Sequence, residues 1–125
     1  MKQIILTPNS AQPIGPYSQA VMAGNTLYVS GQIAINPQSG FLILENIEAE
    51  TKQVMQNLKE ILQAANMDCE NIVKTTIFLN NMDDFAKVNE VYDTYFIDNY
   101  PARETVAVKT LPKNVNVEIS AIAIK

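Results

Sequence analysis

Histidine is absent from this 125-residue chain, cysteine occurs once, and eight of the nine basic residues are lysines. The missing histidines exclude Ser-His-Asp and Cys-His hydrolysis, His-ligated zinc and the usual general base near neutral pH. The lone Cys69 excludes an internal disulfide framework and a thiolate metal site, and suits a reducing cytoplasm. No metal is therefore expected. Net charge is −4 and no basic cluster exists, so a nucleic-acid partner is disfavoured. No apolar run approaches the roughly 20 residues of a membrane span, and no secretory hydrophobic segment heads the chain. The expectation is a cytoplasmic protein. Its chemistry must come from carboxylates, hydroxyls, lysines, one arginine, main-chain amides and water.

What is present reads as one domain over residues 1–125, without repeats, linkers or low-complexity tracts. Ile4-Ile5-Leu6 suggests a short edge strand. Pro8 to Ser18, with Pro8, Pro13, Gly15 and Pro16, is a stiff loop that either holds Tyr17 in a defined place or lets it cap the core. Gln19–Ala23 and Thr26–Ile35 read as two strands joined by the Gly24-Asn25 turn. Alternation puts Leu27, Val29, Gly31, Ile33 and Ile35 on one face and Tyr28, Ser30, Gln32 and Ala34 on the other. Gly31 marks a close approach or a bulge.

Asn46 is placed to cap a helix running to about Asn66, with Glu48 and Glu50 as first-turn acids and Val54, Leu58, Ile61, Leu62 and Ala65 in its buried stripe. Asn71–Leu79 reads as a central strand. A second helix follows Asn80–Asp84, buries Phe85, Val88, Val91, Tyr92, Tyr95 and Phe96, and is stopped by Pro101. Asn89 lies close enough to that face to need an interior partner. Two helices cover one face of the sheet, so the mild polarity of the other face points to an oligomer.

Arg103 is the only arginine. A guanidinium is a rigid fork that meets a carboxylate with two parallel hydrogen bonds. Fifteen residues on, Glu118 interrupts an apolar run, Val115 to Ile124. The turn chemistry of Thr110–Asn114 predicts a hairpin with Arg103 and Glu118 toward one end. From these residues alone, a structural ion pair is the simpler reading.

The segments Ile14-Gly-Pro-Tyr-Ser-Gln-Ala20, Tyr28-Val-Ser-Gly-Gln-Ile33, Gln53 to Lys59, Val73 to Phe78, Asp84 to Tyr92, Pro101-Ala-Arg103 and Leu111 to Ile119 follow in one order. In that order the chain strongly resembles the RidA (YjgF) family over nearly its whole length. The resemblance implies a chorismate-mutase-like α+β subunit. Its mixed, mostly antiparallel sheet has about six strands, with two helices on one face. It implies a homotrimer with clefts between subunits and no metal or organic cofactor. The implied activity is deamination of 2-imino acids such as 2-iminopropanoate, or their enamines, to 2-keto acids. Arg103 and Glu118 fall on the family's catalytic positions, and Tyr17, Ser30, Gly31, Asn89 and Thr105 on its binding positions. Many members carry cysteine where this chain has Thr105, and the contact implied there is the main-chain N–H. The rival reading is a non-enzymatic trimer that senses small carboxylates. A ribonuclease role, reported for some relatives, lacks the basic surface and histidines such chemistry needs.

Overall fold

A computed structural model describes residues 1–125 and gives strands β1 (Lys2–Ile5), β2 (Ala20–Ala23) and β3 (Thr26–Gln32), helix α1 (Ile47–Ala64), strand β4 (Ile72–Leu79), helix α2 (Phe85–Asp93), and strands β5 (Ala102–Ala107) and β6 (Val117–Ile124). The six strands form one sheet in the order β1-β2-β3-β6-β4-β5. All neighbours are antiparallel except β4 and β5. The expected α+β architecture is present.

Helix α1 begins as its sequence requires. The Asn46 side chain accepts from the Ala49 N–H at 2.7 Å and satisfies a donor that the first turn leaves over. Val54, Met55, Leu58, Ile61 and Leu62 are wholly buried and meet Leu27, Ile77, Leu79, Val117, Ile119 and Ala123 of the sheet. Helix α2 is shorter than the pattern suggested. It ends at Asp93, where the Thr94 hydroxyl turns back to the Val91 carbonyl at 2.6 Å, and only Val88 and Tyr92 are fully buried. Pro101 therefore lies beyond the helix end and does not stop it.

Two strand readings are corrected. β5 and β6 do not form a hairpin; β5 pairs in parallel with β4, and β6 lies between β3 and β4. The reason is burial. Alternate residues of β6, from Val117 to Ala123, are buried, while Ile122 adds apolar surface on the other face, so this strand belongs in the centre. The largely exposed Ala-Arg-Glu-Thr-Val-Ala of β5 belongs at an edge. Pro112 to Asn114 then forms a short crossover in which Lys113 and Asn114 take positive φ.

The second correction concerns β3. Its register against β6 slips between Val29 and Gln32, a bulge that moves Gly31 away from the face of Leu27 and Val29 and turns Gln32 inward. Ile33 and Ile35 then join Ala11, Leu111 and Val115 in a second, smaller core.

The face away from the helices carries an apolar row across neighbouring strands, Ile4, Val21, Tyr28 and Ile122, held in register by the ladder. Ile4 and Tyr28 are half exposed within it. No helix of the chain is long and apolar enough to cross a membrane.

Candidate active site

Arg103 stands on the edge strand opposite Thr75 of β4, and Thr75 is buried on the helix side. Arg103 therefore projects toward α2. There its Nη1 donates to Asn89 Oδ1 at 2.7 Å, and its guanidinium carbon lies 5.1 Å from the Tyr92 ring centre and 5.7 Å from that of Phe85. Phe85, Asn89 and Tyr92 share one helix face through their i, i+4, i+7 spacing. Tyr92 is fixed in turn by a 2.8 Å hydrogen bond between its hydroxyl and that of Thr75. Burial raises the Tyr92 pKa, so the phenol is neutral near pH 7. The guanidinium is stacked and held at one end, with its other donors aimed into a cleft of ≈ 530 Å³ lined by Asn89, Tyr92, Asp93, Tyr100 and Pro101. Such a pre-aimed fork suits a planar anion.

Thr105 follows Arg103 on the same face, and its hydroxyl is buried without a hydrogen-bond partner. The Val108 N–H donates to Leu79 O at 2.8 Å. Because alternate residues of a strand turn their main-chain groups to opposite sides, the N–H of Thr105 points out of the open edge.

Glu118 is on the other side of the sheet. It pairs with Phe78 of β4 and lines a second cleft, ≈ 310 Å³, with Ile14, Tyr17, Ser30, Gly31, Ile33 and Pro112. Desolvation raises its pKa above the ordinary 4.5. Gly31 is what makes room for it. A Cβ built on Gly31 would lie 2.6 Å from Glu118 Oε2 and 2.7 Å from its Cδ. Ser30 donates from its hydroxyl to Ser18 O at 2.6 Å and so ties the bulge to the preceding loop. In that loop the Tyr17 hydroxyl accepts from the Ile14 N–H at 3.2 Å, and Tyr17 N–H donates to Gly15 O at 2.8 Å.

The seven residues singled out in the sequence thus fall into two groups. Arg103 and Asn89 line one cleft, with Thr105 on the same strand face but outside that cleft's wall, and Tyr17, Ser30, Gly31 and Glu118 line the other. No residue lines both clefts. The expectation that Arg103 and Glu118 lie at one end of a hairpin is corrected, because within one chain they project from opposite faces of the sheet. Sequence reasoning did not assign Phe85 and Tyr92 to the site, although their spacing about Asn89 was a usable signal. No group of three or more His, Cys, Asp or Glu side chains is placed to hold a metal ion.

Gly31→Ala is a direct probe of the second cleft. The added methyl meets the mobile end of a side chain, not main chain, so the fold should tolerate it while Glu118 is pushed aside. We expect a change in melting temperature of only a few degrees and loss of about nine-tenths of any activity that needs Glu118 in place.

These features define an α+β domain with an ordered guanidinium on one face of its sheet and a desolvated carboxylate on the other. The family model described as Endoribonuclease L-PSP matches residues 7–125. A RutC family protein of Pyrococcus horikoshii is 50% identical over 100% of this chain and 99% of its own length. The human 2-iminobutanoate/2-iminopropanoate deaminase is 46% identical over 100% of this chain and 91% of its own. Among solved structures, Escherichia coli TdcF with bound serine superposes with a TM-score of 0.94 at 38% identity, covering 98% of both chains. The chain belongs to the RidA family.

Proposed function

We propose that the protein is a cytoplasmic homotrimer that hydrolyses reactive 2-imino acids, and the enamines in equilibrium with them, to 2-keto acids and ammonium. The observation that carries this reading is the placement of its two half-sites. A fork for a carboxylate and a carboxylate able to act as a base lie on opposite faces of one sheet. A closed head-to-tail ring would bring Arg103 of one copy to Glu118 of the next. The uncovered row of Ile4, Val21, Tyr28 and Ile122 is the kind of surface such an assembly buries. Mammalian relatives named as imine deaminases support the chemistry.

In this mechanism Arg103 grips the substrate carboxylate, the outward N–H of Thr105 assists, and Asn89, Phe85 and Tyr92 keep the guanidinium still. Glu118 orients a water and takes one of its protons as the oxygen bonds to the carbon of the N-protonated imine, the iminium. The protonated carboxyl returns that proton to nitrogen. The C–N bond then breaks as the carbonyl forms, and the hydroxyl proton leaves with ammonia as ammonium. An iminium carbon is already electrophilic, so positioning and one base supply most of the acceleration.

The test generates 2-iminopropanoate with an amino-acid oxidase and follows its decay with and without the protein. Accelerated decay is expected. Subunits carrying Arg103→Lys and subunits carrying Glu118→Gln are then unfolded together and refolded as a mixture. Random trimers made from equal amounts should recover about a quarter of wild-type activity, because each mixed ring contains one intact pair. No recovery would place both residues in the same subunit's site. If Glu118→Gln still binds a keto acid while wild type never accelerates imine decay, the sensor reading replaces this one. The endoribonuclease label of the family model has no basic surface to rest on here, with a net charge of −4.

A further inference from the structure

Glu50 and Asn57 of α1 are completely buried polar residues between helix and sheet, and neither lines the Arg103 or the Glu118 cleft. They are seven residues apart, two helical turns, and so share a face about 10 Å along the axis from one another. Glu50 accepts three hydrogen bonds: from Asn116 Nδ2 at 2.7 Å, the Asn116 N–H at 2.8 Å and the Val117 N–H at 3.2 Å. Asn57 Nδ2 donates to Ile33 O at 3.1 Å and Ile35 O at 2.9 Å, and its Oδ1 accepts from Gln53 Nε2 at 2.9 Å.

The segments so held flank the second cleft. Asn116 and Val117 lead directly into Glu118, and Ile33 to Ile35 begin two residues after Gly31. Between them the ladder joining β3 to β6 is interrupted, since the register slips between Val29 and Gln32. Gln32 pairs with Ile119 and Glu118 with Phe78, so the sheet aligns the strands, while Ser30 and Gly31 themselves have no partner on β6. Helix α1 braces both flanking segments from behind. Burying a carboxylate is costly unless its oxygens are fully matched. Here an amide N–H₂ faces one oxygen and two main-chain N–H groups face the other. An acid offers charged acceptors on both arms; glutamine loses that charge, and its N–H₂ finds an acceptor only if the Asn116 amide turns over.

From this geometry we infer that Glu50, supported by Asn57, is a positioning residue that braces the segments on either side of the bulge and so holds Glu118 against Gly31. The catalytic part of this inference rests on Glu118 being the base.

The experiment compares Glu50→Gln with the double variant Glu50→Gln/Asn116→Asp. In the double variant the polarity of the contact is reversed. The glutamine N–H₂ meets an aspartate oxygen, its carbonyl keeps the two main-chain donors, and the negative charge stays within the contact. Two readouts are taken, kcat and KM for 2-iminopropanoate and the titration of Glu118 followed by its carboxyl ¹³C signal. Glu50→Gln should lower kcat about tenfold with KM changed less than about twofold, because Arg103 still grips the substrate. The Glu118 titration should move toward the ordinary 4.5 as the carboxyl loosens into water. The double variant should restore both. An unaltered Glu118 titration in Glu50→Gln would overturn the inference. So would equal losses in the single and double variants. Should Glu50→Gln not fold, Glu50→Asp keeps the charge but shortens the reach; wild-type kcat and titration in that variant would equally overturn it. The titration tests the bracing even if Glu118→Gln proves fully active, an outcome that would remove the base assignment alone.

Discussion

Arg103→Lys is expected to lower kcat/KM for 2-iminopropanoate by two to three orders of magnitude, although the formal charge is kept. Lysine offers a compact point charge in place of a planar fork and cannot form two parallel bonds to one carboxylate. It also gives up the stack on Tyr92 and Phe85 and the bond to Asn89 that hold the guanidinium in place. One charge-assisted hydrogen bond is worth about 1.5–3 kcal/mol, and misplacement of the imine carbon adds to that loss. About 3–4 kcal/mol corresponds to the stated fall in rate. Arg103 is exposed and contributes little to the core, so melting temperature should hardly change. Steady-state kinetics beside a thermal melt check both halves. A lysine variant as fast as wild type would remove the carboxylate clamp.

Glu118→Gln should abolish turnover to within about a thousandth of wild type while leaving keto-acid binding measurable by calorimetry, since the grip at Arg103 is untouched. The same change should not weaken the fold at neutral pH. Burial raises the Glu118 pKa, so the folded protein favours the protonated carboxyl more than the unfolded chain does. Its favourable contribution is complete below the ordinary 4.5 and is lost as pH rises through the higher folded value. At pH 7 wild type therefore carries a cost that glutamine does not. Melting temperatures of the two proteins should differ in favour of the variant at pH 7 and converge below pH 4.5. The same displacement puts the acid limb of the wild-type kcat/KM profile above 4.5. A variant less stable at pH 7 than at pH 4, relative to wild type, would contradict this account.

What the sequence disclosed depended on how local the cause was. Helix α1 was legible because its cap, Asn46, and its apolar period lie within one stretch. Arg103 and Glu118 stood out as a lone guanidinium and as a charge inside an apolar run. Their mutual placement did not, because strand order is decided by pairing between distant segments. The turn residues at Thr110–Asn114 fit a hairpin and a crossover equally well. A bulge was one of the two readings Gly31 offered, but its effect on the faces stayed hidden, since one extra residue reverses every later assignment of in and out. Glu50 shows the limit most clearly. By position it was an ordinary first-turn acid suited to the helix dipole, and only the tertiary fold turns it inward onto Asn116. The resemblance supplied the site's membership, and the fold divided that membership between two faces.

The chain's one thiol has a practical consequence. Cys69 is free and buried, and burial with Asp68 beside it raises its pKa to about 11. Near neutrality it is almost wholly the unreactive S–H form. Maleimide dyes should thus ignore the native molecule and label it only when the turn carrying Cys69 opens, so that uptake of dye clocks local opening. A cysteine introduced at the rim of either cleft would meanwhile take a fluorophore without competition, with no background thiol to be engineered away.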